Sequence, residues 1–179
     1  MEKRIKMKIR SLRYDVEASL FSILASECED DMDIELFDED FAEVGEEAIE
    51  LATEGFMRIE GERVTLGYEE SELTGMEGSS TSIFFELGDS GLVSMHRDGA
   101  VSTALVFERG KRHHCVYNTP IMPFEICVKT IKVENKILTE GTLILDYIIE
   151  IRGAKAERTK FEISVFELQE ATVTNEASV

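Results

Sequence analysis

The chain has 179 residues, of which 43% are hydrophobic, and its 37 acidic against 19 basic side chains give a formal net charge of −18. This length suits one domain with a core of its own, and the composition is that of a folded globular protein. No apolar run is long enough for a transmembrane helix, and the excess of negative charge argues against a general affinity for nucleic acid.

The three cysteines indicate a reducing compartment. Cys28, Cys115 and Cys127 are an odd number without Cys-x-x-Cys spacing, whereas a disulfide framework requires a denser, even set. The first residues are highly charged and lack the apolar segment of a secretory signal. The sequence therefore predicts a cytoplasmic protein with reduced thiols.

The chain begins with the pattern of a half-buried strand. Ile5, Met7 and Ile9 alternate with basic side chains, which predicts one apolar face and one basic face. The basic face of residues 3–13 is a candidate contact for nucleic acid or for a membrane. We favour a solvated outer surface whose counter-charge is the chain's own acidic stretch, so we expect neither nucleic acid nor a membrane as a partner.

An acidic stretch follows this strand, because residues 14–57 contain sixteen acidic side chains and no lysine or arginine. We interpret residues 14–47 as a solvated insertion, since a block of like charge repels itself. An EF-hand is disfavoured because the central glycine of its calcium loop is missing. The apolar residues between Val16 and Leu24 fit either a short amphipathic helix or a strand.

From residue 58 onward, apolar residues recur with period two, which is typical of strands that bury one face. Five clear runs, separated by glycine and Asx turns, lie at residues 81–87, 101–107, 124–128, 143–151 and 161–165. The pattern predicts an all-β protein with an antiparallel up-and-down β-barrel of about 8–10 strands. We favour closure over an open sandwich because pairing the first and last strands removes the exposed edges.

The expected barrel domain spans residues 1–168, with the insertion 14–47 inside it, and a flexible C-terminal tail spans residues 169–179. Neither the number of copies in an assembly nor a cofactor follows from the sequence, and we predict no cofactor.

Five short stretches resemble the YwiB-like family and occur in the family's order: Ile49–Gly55, Tyr68–Gly78, His96–Gly99, Phe107–His113 and Tyr117–Pro120. The resemblance covers the chain from Glu47 to Val165 and includes the first strand. Since these are small bacterial proteins of unknown function, it implies a lipocalin-like, calycin-type β-barrel and no activity. Two departures are Ile121-Met122-Pro123, where the family has an aromatic residue and a glycine, and a longer link after the first strand.

A candidate ligand site follows from the strand at residues 63–70, which presents Tyr68 and Glu70 on one face. Arg97 is expected to pair with Glu69 or Glu70. An arginine near tyrosines inside a barrel suits a ligand carboxylate, which a guanidinium binds through two hydrogen bonds. The alternative is a purely structural Arg–Glu pair at the barrel mouth. We predict ligand binding by Tyr68, Glu70, Arg97 and Tyr117.

The affinity for such a ligand would come from apolar burial. The residues expected to supply it are Ile83, Phe85, Leu105, Phe107 and Phe124.

A metal or catalytic site is a weaker hypothesis. If Cys115 lies opposite Cys127 on a hairpin that turns at residues 119–122, the two thiols and His113 form a partial zinc set. A slip of one residue would separate them. Cys115 beside His113 and His114 is also the one candidate catalytic dyad, and no nucleophile, nucleotide or zinc-protease motif is present. We predict no metal and no enzymatic activity.

The sequence thus supports two hypotheses of different classes. The first is non-catalytic binding of a small amphipathic or anionic molecule in the barrel. The second is a structural or protein-interaction module whose acidic residues 27–47 bind a basic partner.

Overall fold

The computed structural model of the protein describes residues 1–16, 47–74, 76–151 and 155–167, and these residues form an all-β structure. A short 3-10 helix, Glu72–Thr74, is the one helical element among them, and none of the described residues forms a helix able to cross a bilayer. The strands are β1 (Glu2–Val16), β2 (Glu47–Glu60), β3 (Arg63–Glu69), β4 (Ser80–Glu86), β5 (Asp89–Asp98), β6 (Ser102–Glu108), β7 (Arg112–Asn118), β8 (Pro123–Lys136), β9 (Thr142–Ile151) and β10 (Lys155–Glu167).

The strands close into a single barrel in which each one pairs with its neighbours in sequence, and β1 also pairs with β10. Every pairing among the described strands is antiparallel. This is the up-and-down order, because each strand returns directly beside the previous one. The predicted all-β closed barrel is confirmed, with ten strands.

Alternation along the strands separates the barrel interior from its surface. On β1, Ile5, Met7 and Ile9 are buried while the basic residues between them are exposed. The same period of two continues in the other strands because successive side chains of a strand point to opposite faces. The largest fully buried side chains are Phe107, Ile5, Met7, Leu66, Ile83, Met95, Leu105, Leu143, Leu145, Ile148, Ile163 and Val64.

The basic outer face of β1 meets acidic side chains of β2. Arg4 lies 2.8 Å from Glu54, and Lys8 lies 3.3 Å from Glu50. Both pairs are exposed to solvent, so each contributes little to stability, typically about 0–1 kcal/mol. The expected counter-charge therefore comes from the last part of the acidic stretch, which is itself a strand.

The boundaries of the insertion differ from those expected. β1 continues to Val16 and β2 begins at Glu47, so the insertion predicted at residues 14–47 is shorter at both ends. The pairing of β1 with β2 continues to Arg13 and Glu47. The sheet therefore extends beyond Ile9, the last residue of the alternating apolar pattern in β1. Apart from Val16, which ends β1, the residues up to Leu24 that were expected to form a short helix or a strand lie outside the described residues, as does the tail at residues 169–179.

Candidate functional site

One end of the barrel contains a cavity of about 290 Å³. This is the end at which the odd-numbered strands finish and the even-numbered strands begin, and we call it the cavity end. The opposite end is filled by large apolar side chains. The cavity is lined by Ile9, Ser11, Arg13, Ile49, Leu51, Tyr68, Glu70, Thr74, Met76, Arg97, Leu105, Tyr117, Phe124, Ile126, Tyr147, Ile149, Ile151, Glu157, Thr159 and Phe161.

A change from apolar to polar side chains marks where the filled part of the barrel ends. Leu66, Ile83, Met95 and Leu105 pair across four strands and are fully or almost fully buried. Two residues further toward the cavity end on each strand, the paired residues are polar. This second row, which we call the polar row, consists of Tyr68, Thr81, Arg97, Thr103 and Tyr117.

All four predicted ligand-binding residues line the cavity. Tyr68 and Arg97 belong to the polar row, Tyr117 closes that row on β7, and Glu70 lies two residues beyond Tyr68. The alternation on β3 and β5 thus brings Tyr68 and Arg97, which are 29 positions apart in sequence, into the same row. That they bind a ligand stays a prediction.

Arg97 and Glu70 form the most deeply buried charged pair of the cavity. The Arg97 Nε atom lies 3.6 Å from Glu70 Oε1, with 14% and 2% of the two side chains exposed. The Thr81 hydroxyl donates a short hydrogen bond to the same Glu70 oxygen. Arg97 Nε is buried and has no hydrogen-bond partner among the described residues, because 3.6 Å is too long for a hydrogen bond. Glu69, the other predicted partner of Arg97, is exposed.

The environment keeps Tyr68 in its neutral form. Burial raises the pKa of Tyr68, and the negative charge of Glu70 raises it further, whereas Arg97 and Thr81 lower it. A hydrogen bond between Tyr68 and Glu70 also raises the pKa, as expected when the phenol donates to a carboxylate. Glu70 therefore accepts from Thr81 and from Tyr68, and does not depend on Arg97 for a hydrogen bond.

A second charged pair, which the sequence interpretation missed, lines the opposite wall. Arg13 Nε lies 3.9 Å from Glu157 Oε1, and an Arg13 terminal nitrogen lies 3.8 Å from Glu47. The sequence pattern assigns Arg13 to the basic outer face. It is in phase with Ile5, Met7 and Ile9, however, and so points inward.

Tyr147 lies beside this second pair. It is 4% exposed, and its cross-strand neighbour Thr159 pairs in turn with Arg13. Burial raises the pKa of Tyr147, while the positive charges of Arg97 and Arg13 and a hydrogen bond with Thr159 lower it. The hydroxyl of Tyr147 is thus within the electrostatic reach of both arginines.

Two of the five apolar residues expected to supply affinity line the cavity. Leu105 and Phe124 line the cavity, and the Phe124 ring lies 5.2 Å from that of Tyr117. Ile83, Phe85 and Phe107 instead pack in the filled part of the barrel, because they lie further from the cavity end on their strands. Further apolar lining comes from strand ends that the sequence interpretation did not single out: Ile9, Ile49, Leu51, Ile126, Ile149, Ile151 and Phe161.

The hypothetical zinc set does not form. The hairpin turns at residues 119–122 as expected, but Cys115 pairs with Ile126, and Cys127 pairs with His114. Since side chains alternate, this slip of one residue places the two thiols on opposite faces of the sheet. Among the described residues there is no group of three side chains that would suit a metal ion.

Cys115 is also poorly suited to nucleophilic catalysis. Burial raises the pKa of its thiol to about 11, with a smaller contribution from Cys127. The neighbouring His113 instead approaches Glu108, with 3.7 Å between His113 Nε2 and Glu108 Oε2. Residues 27–47, proposed as a surface for a basic partner, lie outside the described part of the chain except for Glu47.

Comparison with known proteins supports the fold and the family. The crystal structure of ywiB protein from Bacillus subtilis is similar to this chain, with 18% sequence identity and a TM-score of 0.60. The similarity covers 91% of this chain and 92% of that one. No curated protein matches the chain.

The family assignment comes from a sequence model described as Domain of unknown function (DUF1934), which matches residues 35–163. The matched segment covers well over half of the chain and includes β2 to β9 completely. It agrees with the resemblance to the YwiB-like family noted from the sequence, and that resemblance is confirmed. The chain therefore belongs to the DUF1934 family, whose function is unknown.

Proposed function

We propose that the protein binds a small amphipathic anion in the cavity of its barrel, without catalysing a reaction. The anionic head group accepts hydrogen bonds from Arg97 and from the Tyr117 hydroxyl. The apolar part of the ligand packs against the aliphatic and aromatic side chains of the lining. The charged groups orient the ligand, and apolar burial supplies most of the affinity.

The observation that carries this proposal is the buried guanidinium of Arg97. Its Nε atom is without a hydrogen-bond partner in the described part of the chain, and its neighbour Glu70 already accepts from Thr81 and Tyr68. A buried donor left unsatisfied costs about 1–3 kcal/mol, and more when it is charged. A ligand carboxylate would remove this cost and would form a charge-assisted pair.

The size of the cavity limits the ligand. An apolar cavity of about 150 Å³ accommodates benzene, so 290 Å³ suits a molecule of roughly twice that volume. An eight-carbon chain with a carboxylate fits this description. At about 0.8 kcal/mol per buried methylene, its chain would supply roughly 5 kcal/mol, before the cost of association is subtracted.

The composition of the lining favours binding over catalysis. Its described residues include two carboxylates, two guanidinium groups and three tyrosines, but no histidine or cysteine. A Ser–His or Cys–His pair for acyl transfer is therefore not among these described residues.

The test is calorimetric titration of the protein with octanoate. We expect micromolar to millimolar affinity for the unmodified protein and about tenfold or greater weakening for Arg97→Ala. Arg97→Lys should retain part of the affinity, because it keeps the charge but loses the planar pair of donors.

Arg63→Ala is the matched control, since Arg63 is exposed on β3 and does not line the cavity. It should bind octanoate like the unmodified protein. Equal affinity of the folded Arg97→Ala variant and the Arg63→Ala variant would exclude the role given to Arg97.

A further inference from the structure

We infer that the head group of the ligand carries two negative charges, as in a phosphate monoester, and is held between Arg97 and Arg13. This inference rests on the proposed function and specifies the chemical class of the ligand. It depends on three observations: the geometry of the arginines, the exposure of their acidic neighbours, and the position of Tyr147.

Arg58 and Arg158 on the outer face of the barrel form short contacts with carboxylates, whereas the two arginines of the cavity do not. The outer-face Arg10 is also loosely paired, at 3.6 Å from Glu50. Arg58 lies 2.6 Å from Glu2, and Arg158 forms two hydrogen bonds of 2.9 and 2.7 Å with Asp146. The ion pairs of Arg97 and Arg13 are 3.6, 3.8 and 3.9 Å long. Both cavity guanidinium groups thus retain donor capacity for an added acceptor.

The acidic neighbours of Arg13 can be displaced at little cost. The Glu157 side chain is 34% exposed and that of Glu47 is 68% exposed, so both can turn toward water. Such partly exposed pairs at almost 4 Å contribute little. Glu70, by contrast, is 2% exposed and held by Thr81, so it stays in place beside Arg97.

Tyr147 supplies a further hydrogen-bond donor for this head group. It lines the same cavity, and it connects to Arg13 through Thr159 in adjacent strands. The effect of both arginines on its pKa agrees with this position. A monocarboxylate has two oxygens and one negative charge, which a single guanidinium can pair with through two hydrogen bonds. A phosphate monoester has three acceptor oxygens and nearly two charges near neutral pH, enough for both arginines and a hydroxyl.

The test compares octyl phosphate with octyl sulfate by calorimetry at about pH 7.5, where the phosphate is largely dianionic. The two probes share the alkyl chain and a tetrahedral head group but differ in charge. We expect octyl phosphate to bind about tenfold or more tightly to the unmodified protein. Equal affinities would overturn the inference without requiring any variant.

Variants then test whether Arg13 pairs with the second negative charge of the phosphate. Arg13→Gln should remove the preference for phosphate, because octyl phosphate loses more affinity than octyl sulfate, whereas Arg97→Gln should weaken both probes. The control is Arg10→Gln, since Arg10 lies on the same strand but is exposed on the outer face beside Glu50. An unchanged preference in Arg13→Gln would contradict the inference.

The two proposals fail differently. If octanoate, octyl sulfate and octyl phosphate all leave the unmodified protein unbound, the proposed function itself is wrong. If octanoate binds but phosphate shows no advantage over sulfate, only the doubly charged head group is excluded.

Discussion

Glu70 shows how a single carboxylate can be buried in a chain with so many exposed ones. Its side chain is 2% exposed and accepts hydrogen bonds from the side chains of Thr81 and Tyr68. A buried carboxylate is stable only when such donors replace water. Thr81 is the directly paired neighbour of Tyr68 in the adjacent strand, so the sheet register itself creates this cluster.

Replacing Thr81 by valine should therefore lower the free energy of unfolding. The shape of the side chain is kept while one donor to Glu70 is lost, and we expect a cost of about 1–3 kcal/mol in urea denaturation. Thr81→Ser, which keeps the hydroxyl, should cost less than Thr81→Val. Thr65→Val on the outer face of β3 serves as the control, and equal costs at positions 65 and 81 would contradict the account.

The thiol of Cys115 should react slowly in the folded protein. A pKa of about 11 leaves roughly one thiol in a thousand ionised near pH 8. The greater nucleophilicity of a high-pKa thiolate offsets part of this, so alkylation should be about 10- to 20-fold slower than that of a free thiol.

The measurement uses a variant in which Cys28 and Cys127 are replaced by serine, so that Cys115 alone is alkylated. The rate should increase as the pH is raised toward 11, since the thiolate fraction rises. Unfolding in concentrated urea should restore the rate of a free thiol. Identical rates in the folded and unfolded states would show that burial does not control this thiol.

The site could be predicted at the residues where chemistry and alternation agree. Tyr68, Glu70, Arg97 and Tyr117 all reach the cavity, because polar residues in phase with an apolar face must lie inside the barrel. Arg13 shares the phase of Ile9 but was grouped with its basic neighbours by charge. In a strand of 15 residues, the alternation of side chains predicts the face on which Arg13 lies better than its charge does.

At the scale of elements, β2 and β3 approach closely where two glycines lie at diagonal positions of the strand pair. Gly55 pairs with Tyr68 and Phe56 pairs with Gly67, and the Phe56 ring covers the space where a Gly67 side chain would be. Arg58 lies over the same ring, 5.4 Å from its centre. The aromatic ring thus replaces the packing that glycine lacks on the outer face of the sheet.

Gly67→Ala should destabilise the barrel by about 1–3 kcal/mol, because its methyl group would occupy the position of the Phe56 ring. Thermal unfolding of Gly67→Ala, Phe56→Leu and the double variant checks this. In the double variant the ring is gone, so the cost should be smaller than the sum of the single changes. Strict additivity would mean that the ring and the glycine are independent.

Gly55→Ala provides a comparison at the same crossing. Its methyl group would meet the backbone oxygen of Gly67 and the end of the Met7 side chain. Backbone cannot move aside as a ring can, so Gly55→Ala should be the more destabilising change. A smaller effect at position 55 than at position 67 would contradict this order.

The register in which neighbouring strands pair could not be predicted from the pattern of apolar residues. The hairpin between β7 and β8 was located correctly, but a four-residue turn places Cys115 opposite Ile126 and not opposite Cys127. A period of two cannot distinguish registers that differ by one residue until the turn geometry is known. On β8, a bulge between Thr130 and Lys132 shifts the pairing with β9 further along the strand.

For the whole molecule, charge is the dominant feature. A net charge of −18 repels itself in the compact state, while many of the compensating ion pairs are on the surface, including the contacts between β1 and β2. Such surface pairs are weak, so the net effect of charge should be destabilising at low ionic strength.

Added sodium chloride should therefore raise the Tm by several degrees between about 20 mM and about 0.5 M, since the screening length falls well below 10 Å. Differential scanning calorimetry measures this directly. A fall in Tm over the same range would mean that the ion pairs of the β1–β2 face outweigh the general repulsion.

The pairing of β1 with β10 has a consequence for how the protein is made. Within the barrel, β1 is synthesised before the other strands, and one of its two neighbours is β10 at Lys155–Glu167. Until that neighbour emerges, β1 and β9 each keep one unpaired edge, which is open to pairing with other chains. The cavity wall includes residues from both β1 and β10, so the cavity stays incomplete in a nascent chain until β10 has been synthesised.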